Sequence, residues 1–111
     1  MERRSERRAP FFEQEEEVKR EKDIERRLVA EIRKNGGLCL KFISPGWSGA
    51  PDRICLWPDG EVVFVELKRP GGKVRPLQER RAEQLHKLGF EVLVVDSTEK
   101  IKELFNNAEE K

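Results

Sequence analysis

The run Val62-Val63-Phe64-Val65, closed by Glu66-Leu67-Lys68, constrains the fold of this chain most. Side chains branched at Cβ fit a pleated surface and lose rotamer freedom in a helical turn, so the run predicts a strand. It is apolar enough on both faces to sit centrally in a sheet. Yet it ends in a carboxylate and an ammonium two residues apart. Alternation puts Glu66 and Lys68 on one face, together with Val62 and Phe64. Burying Glu66 without a partner is costly, so a cation is expected beside it.

The neighbouring segments place this strand in a domain. Pro58-Asp59-Gly60 is a turn signal, and Asp52-Arg53-Ile54-Cys55-Leu56-Trp57 before it reads as a second strand, so the two form a hairpin. Further upstream, residues 38–44 (LCLKFIS) show strand alternation with Leu38, Leu40 and Phe42 on one face, and PGWSGAP is a loop by composition. Residues 11–35 lack Pro and Gly and carry Ile24, Leu28 and Ile32 at helical spacing; Gly36-Gly37 stops this amphipathic helix, whose early part, EQEEEVKREK, is prone to fray. A second helix is expected from about Arg75 to Leu88, with Pro76 near its first turn and Gly89 at its end. EVLVV is a short buried strand, and Ser97 or Thr98 caps a last helix through Leu104 and Phe105.

The resulting order is α-β-β-β-α-β-α. Its strand-helix-strand step implies a parallel crossover beside the antiparallel hairpin. The expected fold class is therefore α/β, a single domain with a mixed central β-sheet flanked by helices. Residues 1–10, with four arginines, read as a basic flexible arm, residues 11–106 as the domain and residues 107–111 as a polar tail.

Bulk properties exclude several classes. The 111 residues suit one domain with a thin stability margin, which dimerisation would widen. The formal net charge of +1, from 23 basic and 22 acidic residues, decides nothing about a polyanionic partner, because clustering matters more than the sum. Cys39 and Cys55 form no C-x-x-C pair and His86 is the only histidine, which argues against structural zinc and for buried free thiols in a reducing cytosol. No apolar run approaches a membrane span and the amino terminus has no apolar targeting core, so a soluble cytoplasmic protein is expected.

Asp52 follows Gly49-Ala50-Pro51 at the mouth of the first hairpin strand. The hairpin brings it close to Glu66, so two carboxylates and an ammonium converge at one end of the sheet. Hard divalent cations bind through one or two carboxylates while keeping several waters. Such an ion polarises a phosphodiester and acidifies bound water, and a neighbouring lysine orients that water and offsets developing charge. Alone, an E-x-K on a strand end is usually a solvated ion pair, and G-x-P-D is usually a turn. Their joint occurrence in this order across a hairpin, with the acid closing an apolar run, points to a site.

GAPD followed by ELK is similar to the split PD-(D/E)XK nuclease signature. The longer pattern from Gly36 to Ser97, GGLCLKFISPGWSGAPDRICLWPDGEVVFVELKRPGGKVRPLQERRAEQLHKLGFEVLVVDS, resembles the virus-type replication-repair nuclease (VRR-NUC) family in its stand-alone phage and prophage form. The resemblance extends from about Glu21 to Ser97. It implies a restriction-endonuclease-like fold and catalysis with Mg2+ or Mn2+. Asp52 and Glu66 would hold the metal with the backbone carbonyl of Leu67, and Lys68 would be the catalytic lysine. Gln78 matches a family glutamine near the active site. A first-helix glutamate would complete the acidic set. Glu21 fits the family spacing and is preferred, while Glu25, one turn later, fits a looser pattern of related junction-resolving enzymes.

The family further implies DNA as substrate, four-way (Holliday) junctions in particular, and a homodimer that nicks two strands symmetrically inside the bacterial host cell. Arg69, Lys73 and Arg75 are expected to contact phosphates, with Arg3, Arg4, Arg7, Arg8, Arg80 and Arg81 as further candidates. Trp47 is read as a base-stacking residue or a dimer contact. The alternatives are a general or flap-type nicking nuclease, a non-catalytic DNA-binding protein on a nuclease scaffold, and a protein-interaction domain whose carboxylates simply pair with arginines.

Overall fold

The computed structural model describes residues 21–110; the expected basic arm 1–10 and the expected start of the first helix, residues 11–20, lie outside the described residues. Helix α1 occupies residues 21–34. Its apolar stripe, Ile24, Leu28 and Ile32, is buried as the spacing requires. The helix ends where Gly36 takes a φ of 91°, which lets the Gly37 N–H close onto the Ile32 carbonyl at 2.9 Å.

Four strands follow the expected pattern: β1 Leu38–Lys41, β2 Arg53–Leu56, β3 Val62–Leu67 and β4 Glu91–Val95. They lie in the order β1-β2-β3-β4, antiparallel across the first two pairings and parallel between β3 and β4. The mixed sheet is therefore the one the sequence implied, with β3 central. Strand β1 is shorter than residues 38–44. The chain leaves the ladder after the Phe42 N–H bonds to the Asp52 carbonyl at 2.9 Å, and turns through Pro45-Gly46 to return as β2.

Helix α2, Pro76–Lys87, makes the crossover from β3 to β4, with proline in its first turn where no N–H is needed. Helix α3, Thr98–Glu110, starts with the Lys100 N–H donating to Ser97 Oγ at 3.3 Å, so Ser97 serves as the cap. It runs past the expected end near Phe105, into residues read as a polar tail. Ala108, Glu109 and Glu110 are good helix formers, and no Gly or Pro stops the turn.

One face of the sheet makes the core. Cys39, Cys55, Val63, Val65, Leu67 and Val95 pack against Ile24, Leu28 and Ile32 of α1 and against Ile101 and Leu104 of α3. Each such side chain contributes roughly 1.5–3 kcal/mol by leaving water. Cys39 and Cys55 are register partners with sulfurs 3.5 Å apart, both free and buried, as expected.

The opposite face carries Phe64, with the rings of Phe42 and Phe90 edge-on at 5.3 and 5.6 Å. Helix α2 covers this face mainly beside β4 and reaches the end of β3. Leu38 and Leu40 do share a face, but it is the open one, and they are 50% and 44% exposed. Among the described residues no helix is long and apolar enough to cross a membrane.

Candidate active site

Strand β3 delivers Glu66 to the second face, where it is the one buried charged residue among those described, 4% exposed. Burial pushes its carboxyl up to about 7, and the negative charge of Asp52 pushes the same way. Lys68 opposes the rise with Nζ 3.6 Å from Glu66 Oε2. The remaining contribution comes from Glu21, whose charge raises Glu66 further.

Asp52 reaches the same place from β2. The last β2–β3 pair is Arg53 with Val65, so the ladder leaves the Leu67 N–H without a strand partner. The Asp52 carboxylate takes its place, accepting from the Leu67 N–H at 2.8 Å. Its own carbonyl accepts from Phe42. Both ends of Asp52 are thereby tied to the sheet. Lys68 lies one residue beyond β3 but its backbone is held, its N–H donating to the Val95 carbonyl at 3.1 Å.

Gln78 comes from the first turn of α2. Its Oε1 accepts the Arg75 N–H at 2.9 Å, which satisfies a donor at the helix start. That bond orients the amide so that Nε2 donates to Glu66 Oε2. A glutamate here would cap the helix equally well but could not donate to Glu66 when ionised.

The two first-helix acids separate clearly. Glu25 Oε2 accepts from Arg53 Nε at 3.0 Å and from Nη2 at 2.7 Å, while Arg53 Nη1 donates to the Cys39 carbonyl at 3.1 Å. Glu25 therefore ties α1 to the sheet. Glu21, one turn earlier, is exposed and acts on Glu66 through its charge. Arg53 was passed over in the sequence. Its signal was a charged residue opening an apolar strand, a position that needs a buried partner.

The structure thus brings Asp52, Glu66, Lys68 and Gln78 together at the end of β3, with Glu21 bordering them. Leu67 turns its side chain into the core on the other face, while its N–H is engaged by Asp52. Arg69, Lys73 and Arg75 are exposed on the segment leading from Lys68 to α2. Arg81 is engaged within the protein: its Nε donates to the Ser48 carbonyl at 2.7 Å and its guanidinium carbon lies 5.0 Å from the Trp47 ring centre. Trp47 accordingly spends one ring face on Arg81.

Chemically, the site has one buried carboxylate that ionises reluctantly, a second carboxylate beside it, and an ammonium within reach. Among the described residues no three His, Cys, Asp or Glu side chains gather as a ready-made metal cage. Asp52 and Glu66 are the carboxylates there that could hold a hard cation, which would have to keep much of its water.

Comparison with known proteins identifies the family. The family model described as the VRR-NUC domain matches residues 2–99. The chain belongs to the VRR-NUC family. A solved structure described as a VRR_NUC domain superposes with a TM-score of 0.73 at 33% identity, covering 78% of this chain and 94% of that one. The phage protein named "Putative nuclease p44", from Acyrthosiphon pisum secondary endosymbiont phage 1, is 50% identical over 78 residues, 70% of this chain and 84% of the phage protein. Membership makes this chain a nuclease domain, and the α/β fold with its mixed sheet is that of the family.

Proposed function

We propose that this VRR-NUC protein is a metal-dependent, structure-selective DNA endonuclease that resolves four-way junctions as a homodimer. The observation that carries the catalytic part is Glu66, a buried carboxylate raised to about 7 with Asp52 beside it and Lys68 at 3.6 Å. Two acids crowded in this way are unfavourable in the free protein. They become favourable when a divalent cation neutralises them.

The donor set fits Mg2+ or Mn2+. Asp52 and Glu66 would supply hard carboxylate oxygens, and the Leu67 carbonyl would be a further ligand, as the family resemblance implies. When bound, the metal supplies Lewis-acid polarisation of the scissile phosphate and lowers the pKa of attacking water. Lys68 offsets charge developing on the phosphate and orients the nucleophile from its place beside Glu66. Gln78 holds the Glu66 carboxylate in one rotamer, and Glu21 completes the acidic border.

Arg69, Lys73 and Arg75 leave the site on one exposed segment, where they would grip the phosphate backbone without reading sequence. The dimer reading is supported by the open apolar sheet face holding Leu38 and Leu40. A phage- or prophage-encoded enzyme of this kind would work inside the bacterial cell.

The test is cleavage of a labelled four-way junction beside linear duplex and flap DNA, with Mg2+ or Mn2+. Paired nicks in the junction are expected, abolished by EDTA. Asp52→Ala and Lys68→Ala should each lower the rate about 10²–10³-fold, as removal of one electrostatic stabiliser does elsewhere. Equal cutting of all three substrates would keep the nuclease and discard the resolvase. Metal-independent binding without cutting would leave a DNA-binding protein on a nuclease scaffold.

A further inference from the structure

The loop between β1 and β2 must present Asp52 at one place, yet the one turn bond within it, from the Trp47 N–H to the Ser44 carbonyl at 3.0 Å, lies ahead of Ser48 and Gly49. Pro45-Gly46-Trp47-Ser48-Gly49-Ala50-Pro51 has one large side chain and two glycines with φ of 84°. Its base is fixed by the Phe42–Asp52 hydrogen bond. Its crown leans on α2 instead of on the sheet.

That contact is close. A Cβ at Gly49 would fall 2.8 Å from Leu77 Cγ, 3.2 Å from the Leu77 carbonyl oxygen and 3.3 Å from Arg81 Cγ. Glycine is required there twice over, by its φ and by the approach of the helix. Arg81 then closes the contact. Its Nε donates to the Ser48 carbonyl, its face covers Trp47, and Nη1 donates to Gln84 Oε1 at 3.0 Å, which keeps the guanidinium plane in place.

We propose that Arg81 is a positioning residue: by clamping Trp47 and Ser48 onto α2 it holds the loop that presents Asp52 against Glu66. It touches neither carboxylate. Gln78 and Arg81 lie three residues apart on α2, so they project from neighbouring positions of one helix surface. Through Gln78 the helix holds Glu66, and through Arg81 it holds the approach to Asp52. One rigid element thus sets both members of the acidic pair. Arginine suits this task because a planar guanidinium donates along its edge while stacking through its face, which an ammonium cannot do.

The inference rests on reading Asp52 and Glu66 as the metal-holding pair, and its test separates the two ideas. Trp57→Phe leaves Trp47 as the single tryptophan. In that background, Arg81→Ala and Arg81→Lys are compared for acrylamide quenching of Trp47, Mn2+ binding by calorimetry without DNA, and junction cleavage. Both variants are expected to expose Trp47, to weaken Mn2+ about 10–100-fold and to lower kcat by a similar factor, as loss of a supporting contact does at other metal sites. KM should stay within about twofold, and lysine should not rescue although it keeps the charge.

A phosphate-contact role gives the opposite result: unchanged quenching and Mn2+ affinity, a raised KM, a smaller salt dependence for Arg81→Ala and near-recovery by lysine. That result overturns the proposal. If the parent protein binds no Mn2+ at all, the metal reading has failed first and the inference falls with it.

Discussion

The two faces of the sheet share the same strands and behave differently. Val63, Val65 and Leu67 look into a closed apolar layer whose Leu28, Ile32, Cys55 and Val65 have no exposed surface at all. Val62, Phe64 and Glu66, their alternating neighbours, look toward α2, an aromatic trio and open solvent. The first face tolerates charge only at its rim, where Arg53 meets Glu25. The second buries a carboxylate outright and leaves leucines exposed. Stability is concentrated on one side, which frees the other to hold groups that are unfavourable in the isolated domain.

The comparison breaks most easily from the closed side. Ile32→Ala removes a fully buried side chain from the layer between α1 and the sheet. Its expected cost is about 2–5 kcal/mol in urea or thermal unfolding, for the lost burial and the cavity left behind. A small domain has roughly 5–15 kcal/mol to lose. A cost below about 1 kcal/mol would mean that the closed face does not carry the fold.

Most of this division was legible in the residues, and the failures have physical causes. The 3.6-residue spacing of Ile24, Leu28 and Ile32 and the apolar run of β3 identified the layers. Turn chemistry at Pro58-Asp59-Gly60 fixed the hairpin, and with it the meeting of Asp52 and Glu66. Alternation at Leu38 and Leu40 was correct, but alternation alone does not say which face is covered. That depends on α1 and α3 docking on the side of Cys39. The two candidate acids of α1 share a stripe at i and i+4, and only the family spacing favoured Glu21; that Glu25 pairs with Arg53, 28 residues away, could not be read from spacing. That Arg81 bonds to Ser48, 33 residues away, was not legible either, because composition does not show which surface an arginine turns to.

A smaller effect sharpens the contrast from the functional side. The Glu66 carboxyl titrates near 7 in the folded protein against an ordinary value of 4.5. Between those values the folded protein keeps a proton that the unfolded chain has released, so metal-free stability falls as pH rises from about 4.5 to 7. Glu66→Gln removes this slope. With EDTA at pH 8 the variant should be more stable than the parent by roughly 1–3 kcal/mol while losing nuclease activity. Metal affinity of the parent should rise with pH and level off above 7, because binding below that pH must displace the Glu66 proton. Parallel stability curves for parent and variant from pH 5 to 8 would show that Glu66 is not held at a cost.

The smallest effect on the fold is expected at the open face, and it carries the most information about assembly. Leu40 pairs across to Ile54 and Ile54 to Phe64, while Leu38 pairs to Leu56 and Leu56 to Val62, so two apolar rows run side by side over three strands. Leu40→Glu adds charge to a half-exposed position of β1, an edge strand. Surface substitutions of this kind usually change monomer stability by no more than about 0.5 kcal/mol. If a second copy covers the rows, the same substitution buries a charge at the interface, and sedimentation should show a dimer becoming a monomer. Paired nicking of the four-way junction should then give way to single, uncoordinated nicks, with the chemistry at Asp52 and Lys68 unchanged. A dimer that survives Leu40→Glu would place the interface elsewhere and leave this face without a partner.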